Sequence, residues 1–97
     1  MLPVPMSEVI THDPEVQKKY DALTSRRNEL NDELRFVSGE TDQILTSLGK
    51  LVADGSKYKK QTDRLAALRL ESEALEAGIL YLTNQCDLLR RTNTWLA

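Results

Sequence analysis

The four residues Ala53-Asp54-Gly55-Ser56 decide the fold, because they interrupt an apolar repeat that runs through most of the chain. Gly55 readily adopts the left-handed backbone conformation that closes a helix, and Ser56 is a residue type that caps the start of the next one. The sequence therefore predicts a turn at residues 54–56 between two long helices.

Before the turn, apolar residues recur in alternating steps of four and three, the heptad pattern of a coiled-coil helix. Asp13 is a good N-cap, Pro14 suits the first helical position, and Glu15 is favoured at the positive end of the helix dipole. Arg27 and Thr41 are the two polar members of the series. Its apolar members are Val16, Tyr20, Leu23, Leu30, Leu34, Val37, Ile44, Leu48 and Leu51.

After the turn a second heptad series begins, shifted in phase by three residues from the first. Its members are Tyr58, Leu65, Leu68, Leu75, Ile79, Leu82, Cys86, Leu89 and Leu96, with Gln61, Ser72 and Asn93 at intervening core positions. One straight coiled coil would carry a discontinuity at the turn. The pattern therefore predicts two helices, over residues 14–54 and 57–95.

The two series match each other when the chain folds back at the turn. Core positions whose numbers add up to 109 then face each other, so that Leu51 meets Tyr58 and Leu30 meets Ile79. The predicted fold class is all-α, an antiparallel coiled-coil hairpin over residues 13–97 that forms part of a larger helical bundle. The alternative is a hinged, extended chain whose arms pair with other chains.

Composition and charge narrow the class of protein. Sixteen of 97 residues are leucine, glycine and proline are few, and the single cysteine excludes an internal disulfide. A domain that binds nucleic acid along its length usually carries a clear positive charge, whereas this chain has a net charge of −2. The chain shows no signal peptide or apolar membrane span, so we expect an intracellular protein, cytoplasmic or nuclear. Residues 1–12 are predicted to be a flexible leader, or a segment that docks on a partner.

A row of residues at steps of seven lies beside the core series of the second helix: Ala67, Ala74, Tyr81, Leu88 and Trp95. Leu70 and Leu80 add apolar surface, and glycine at position 78 lets another backbone approach. Such a row on a rod is typical of an interface. The predicted partner-interface residues are Gly78, Tyr81, Leu88 and Trp95.

A cationic cluster surrounds the turn, formed by Lys50, Lys57, Lys59, Lys60 and Arg64. One interpretation is a basic tip that contacts anionic membrane or nucleic acid. The simpler interpretation is a solvated loop.

No residue is predicted to be catalytic, to hold a cofactor or to bind a metal. The single histidine, His12, has no second ligand at metal-binding spacing, and Cys86 has no histidine nearby in the sequence to activate it. We therefore expect a non-enzymatic assembly subunit that binds partner helices, from itself or from other subunits, as in a kinetochore or membrane-trafficking scaffold. The alternatives are a binding module with a basic tip and a homodimeric coiled-coil spacer.

Overall fold

The computed structural model describes residues 12–96 and contains two α-helices within that range, α1 (Pro14–Ala53) and α2 (Lys59–Thr92). They pack against each other as a hairpin whose Cα trace is 16 × 14 Å across its two short axes. The predicted all-α hairpin is thus confirmed. Residues 1–11 of the predicted leader, and Ala97, lie outside the described residues.

Burial along both helices follows the predicted heptads. Each predicted core position from Val16 to Leu51, and from Gln61 to Leu96, is buried or half-buried. The buried positions are Leu30, Val37, Leu65, Leu68, Cys86 and Leu96, of which Leu68 and Cys86 are fully buried. Tyr58 departs from the prediction: it precedes α2 and is 46% exposed. We call the buried contact between α1 and α2 the seam.

Contacts across the seam fix the register of the hairpin. Thr24 Oγ1 lies 3.9 Å from Cys86 Sγ, and a Cβ built on Gly78 would lie 3.2 Å from Leu30 Cδ1. These pairs have residue numbers adding up to 110 and 108, on either side of the predicted 109. The register of the fold-back is therefore the one that the two heptad series predict.

The first helix begins and ends at residues that the sequence identifies. Asp13 Oδ1 accepts a hydrogen bond of 3.0 Å from the Glu15 N–H. At the other end, the Gly55 N–H donates to the Val52 carbonyl (3.2 Å) and the Ser56 N–H donates to the Leu51 carbonyl (2.9 Å). This is a Schellman motif, and it needs the left-handed φ of 71° at Gly55.

The second helix is shorter than predicted at both ends, since it spans Lys59–Thr92 rather than residues 57–95. Ser56 does not cap it: its N–H closes α1, and the residue before α2 is Tyr58, which makes no side-chain cap. At the far end, both the backbone N–H and Nδ2 of Asn93 donate to the Leu89 carbonyl, at 2.8 and 3.1 Å. Asn93 therefore ends the helix before the heptad spacing does.

Candidate helix-docking surface and basic tip

The outer side of α2 carries a second, largely apolar heptad that is exposed in the described hairpin. Its members alternate in steps of three and four, and every one of them is exposed. We call this surface the outer stripe, formed by Ala67, Leu70, Ala74, Ala77, Tyr81, Asn84 and Leu88. At 3.6 residues per turn it lies roughly 160° around α2 from the seam, so one helix presents two separate coiled-coil faces.

Large apolar side chains on the outer stripe are far more exposed than those of the seam. Leu70 is 68% exposed, Tyr81 63% and Leu88 54%, and neighbouring Leu80 is 61% exposed. These four lie within 19 residues of one helix, a length of about 27 Å at 1.5 Å per residue. A row of this kind on a monomer is typical of an interaction surface.

The exposed apolar residues of α1 do not form such a row. Phe36, Leu45 and Val52 are 68%, 42% and 54% exposed. Phe36 borders a shallow groove with Arg35, Glu40 and other residues of α1, so its surroundings are partly charged. The apolar surface of the described hairpin is therefore concentrated on α2.

Half of the predicted partner-interface residues lie on this surface. Tyr81 and Leu88 belong to the outer stripe and are exposed, whereas Gly78 and Trp95 do not belong to it. Gly78 lies at the seam, where its missing side chain leaves room for Leu30. The close approach that Gly78 permits is thus the one between α1 and α2.

Trp95 lies beyond the end of α2, in a turn that brings Leu96 back into the seam. Its indole is half-buried, and its ring centroid is 4.8 Å from that of the exposed His12. The prediction that Trp95 extends the apolar row is wrong, because the helix that would place it there has ended at Thr92.

Sequence reasoning missed that Leu70, Ala77 and Asn84 complete a second heptad. The row at steps of seven uses only one of the two core positions of each heptad, and these three residues occupy the other. The available signal was the alternating spacing of three and four residues, which alanines and one asparagine partly conceal.

At the tip of the hairpin, four of the five predicted cations are exposed and make no ion pair within the described residues: Lys50, Lys57, Lys59 and Lys60. Arg64 differs, since its Nη2 lies 2.8 Å from Glu40 Oε2 across the two helices. Lys59 and Lys60 occupy the first turn of α2, where the helix dipole disfavours positive charge. The basic tip is therefore a cluster of four lysines, with Arg64 tied to α1.

The groove between the two helices is polar and open to solvent. It is lined by Ser38, Thr41, Asp42, Arg69, Ser72, Glu73 and Glu76. Among the described residues, no group of three metal-ligating side chains comes together, and Cys86 is buried with its thiol against Thr24. Within residues 12–96, neither helix is long and apolar enough to cross a membrane.

Comparison with known proteins gives no match to this chain, whether to a protein family, to a curated protein or to a solved structure.

Proposed function

We propose that this chain is a non-enzymatic assembly subunit, a helical hairpin that docks a further helix on its outer stripe. The resulting multi-helix complex is a scaffold of the kind found at kinetochores or in membrane trafficking. The observation that carries the proposal is the second, fully exposed heptad on α2. Since the seam already covers the other face of α2, the stripe is surplus to what a two-helix rod needs.

The chemistry of this function is burial of leucine and tyrosine against a partner helix, at roughly 25 cal/mol per Å² of apolar surface removed from water. Tyr81 is the residue type that most often dominates such interfaces. The three alanines of the stripe let a partner helix approach closely.

The experiment introduces a glutamate at exposed apolar positions, either on the outer stripe or away from it. Leu70→Glu and Leu88→Glu place a carboxylate in the proposed interface, whereas Phe36→Glu places one at a site as exposed as Leu70 (68%) on α1. The readout is the size of complexes that contain the chain, by light scattering of the pure protein and by size exclusion of cell extract. We expect both stripe variants to lose the larger species and Phe36→Glu to keep them.

Equal behaviour of all three variants would contradict the proposal. Circular dichroism of each variant controls for folding. Because all three side chains are exposed, the helix content is expected to stay that of the unmodified protein.

A second candidate is the binding module with a basic tip. It is supported by the four lysines that make no ion pair within residues 12–96, two of which lie where the helix dipole disfavours positive charge. Positive charge that costs helix stability is more easily explained by an anionic contact than by solubility alone.

A further inference from the structure

Resting on the assembly proposed above, we infer that the docked helix is α2 of a second copy of this chain. The two α2 helices run antiparallel, and the twofold axis crosses them at the level of residue 79. The argument uses the size of the stripe residues, the charges beside them and the position of the basic tip.

Apolar matching selects this register. In an antiparallel coiled coil the two core positions of the heptad face each other, so contacting residues have numbers with a constant sum. A sum of 158 places Leu70 against Leu88 of the second copy and Ala77 against its Tyr81. Leu80 then meets Leu80 of the second copy beside the axis. Every large exposed apolar residue of α2 thus gains an apolar partner.

The two neighbouring antiparallel registers are less favourable. A sum of 165 sets Tyr81 against Asn84 of the second copy and Leu70 against position 95, beyond the end of α2. A sum of 151 still pairs Leu70 with Tyr81, but it sets Leu88 against Asp63 of the second copy and leaves Leu80 opposite Glu73. Burying a leucine against a carboxylate desolvates the charge without a hydrogen bond in return.

A parallel pair of α2 helices is also less favourable. Like positions would face each other, so that Ala74 meets Ala74 and Ala77 meets Ala77 directly before Tyr81 meets Tyr81. A separation that accommodates two tyrosines leaves gaps at the alanines. The antiparallel arrangement instead combines small and large side chains.

Charge favours the antiparallel arrangement as well. Parallel hairpins would hold the two lysine tips side by side, whereas the antiparallel pair keeps both Lys57 residues about 66 Å apart along the axis, at 1.5 Å per residue. Arg91 of one copy faces Ala67 of the other, one helical turn from both Asp63 and Glu71.

One like-charge contact opposes the register, between Glu73 and Asp87 of the second copy. Asp87 Oδ1 lies 4.0 Å from Arg90 Nη1, and this pairing with Arg90 reduces the repulsion.

Spin labels measure the arrangement directly. The variants Lys59→Cys and Thr92→Cys each carry one label per copy, at exposed positions at the two ends of α2 that make none of the proposed contacts. An axis at the level of residue 79 predicts label separations along the rod of about 60 Å for position 59 and about 39 Å for position 92. The unmodified protein is the control, since Cys86 is 1% exposed and should take up no label. Should Cys86 react, the same pair is made with Cys86→Ala.

Three results would overturn this inference. Separations of about 50 Å at both positions, or of about 71 and 29 Å, indicate one of the neighbouring antiparallel registers. Separations near 10 Å at both positions indicate parallel helices. A monomeric mass at 100-fold the labelling concentration indicates that the chain does not pair with itself.

The monomeric result separates this inference from the proposed function. If the monomer still enters larger complexes in cell extract, and Leu88→Glu but not Phe36→Glu abolishes them, the stripe binds a different subunit. The assembly function then holds and the second copy does not.

Discussion

Gly55 has a φ of +71°, a backbone conformation that side chains of L-residues rarely adopt, and nothing lies within 4 Å of a Cβ built on it. Space is therefore available there, and backbone strain alone opposes a side chain. Gly49 is its counterpart: it is helical, equally open and free of that strain.

We expect Gly55→Ala to lower the free energy of unfolding by about 1–2 kcal/mol. Gly49→Ala should raise it by about 1 kcal/mol, because alanine is the better helix former. Urea denaturation followed by circular dichroism measures both. If the two variants shift stability in the same direction, the turn in solution does not use a left-handed Gly55.

Arg27 is a polar residue at the seam, predicted to face Leu82. It is half-buried and makes no hydrogen bond or ion pair within residues 12–96. No side-chain nitrogen or oxygen in that range is buried without a hydrogen-bond partner, so the guanidinium reaches the surface past the seam.

Arg27→Leu is expected to raise the free energy of unfolding by about 1 kcal/mol, since it extends the apolar seam at the expense of no specific contact. The matched control is Arg26→Leu at an exposed site, which loses the 2.8 Å ion pair with Glu29 and gains no buried area. A loss of stability in Arg27→Leu would show that the arginine makes a contact the hairpin needs.

At the scale of the element, α2 presents two apolar faces with opposite exposure. Leu68 on the seam is 1% exposed and Leu70 on the outer stripe is 68% exposed, although they are only two positions apart in the sequence. The hairpin buries the first face and leaves the second exposed within the described residues.

Leu68→Ala should therefore cost about 2–5 kcal/mol, the range for a leucine deleted from a packed core. Leu70→Ala should change the stability of the dilute monomer by no more than about 0.5 kcal/mol. Thermal unfolding at low micromolar concentration tests the pair. Comparable losses in both variants would mean that the stripe is packed within a single chain.

Heptad spacing predicted which residues of each helix are buried, because the side that faces the partner is set by local periodicity alone. It did not predict where α2 begins and ends. Those limits depend on hydrogen bonds that spacing does not show: the Ser56 N–H is used by α1, and the Asn93 side chain adds a bond to the Leu89 carbonyl at the end of α2. Trp95 was misplaced for the same reason. Spacing also does not reveal that Leu30 fills the space beside Gly78.

For the whole molecule, the lysine tip and the outer stripe share no residue, so the two candidate functions can be separated by substitution. Lys57, Lys59 and Lys60 are exposed and unpaired within the described residues. Reversing the two in the first turn of α2 also improves their interaction with the helix dipole.

We expect the triple variant Lys57→Glu, Lys59→Glu, Lys60→Glu to keep or raise thermal stability while removing any binding to anionic vesicles. Binding by the unmodified protein should fall steeply with added salt, as for exposed charges in general. Sedimentation with vesicles containing phosphatidylserine measures it, and neutral vesicles are the control. Binding that survives both the triple substitution and high salt would exclude the tip as the contact.

The ring contact between His12 and Trp95 joins the two ends of the described chain at the base of the rod. Trp95 is the only tryptophan of the protein. Tryptophan fluorescence therefore reports on this contact alone. The emission changes when the base of the rod frays, while motion at the lysine tip leaves it unchanged. Thermal unfolding followed by tryptophan fluorescence can be compared with unfolding followed by circular dichroism. Coincident curves indicate that the hairpin unfolds as one unit, and an earlier fluorescence change indicates that it opens from its base.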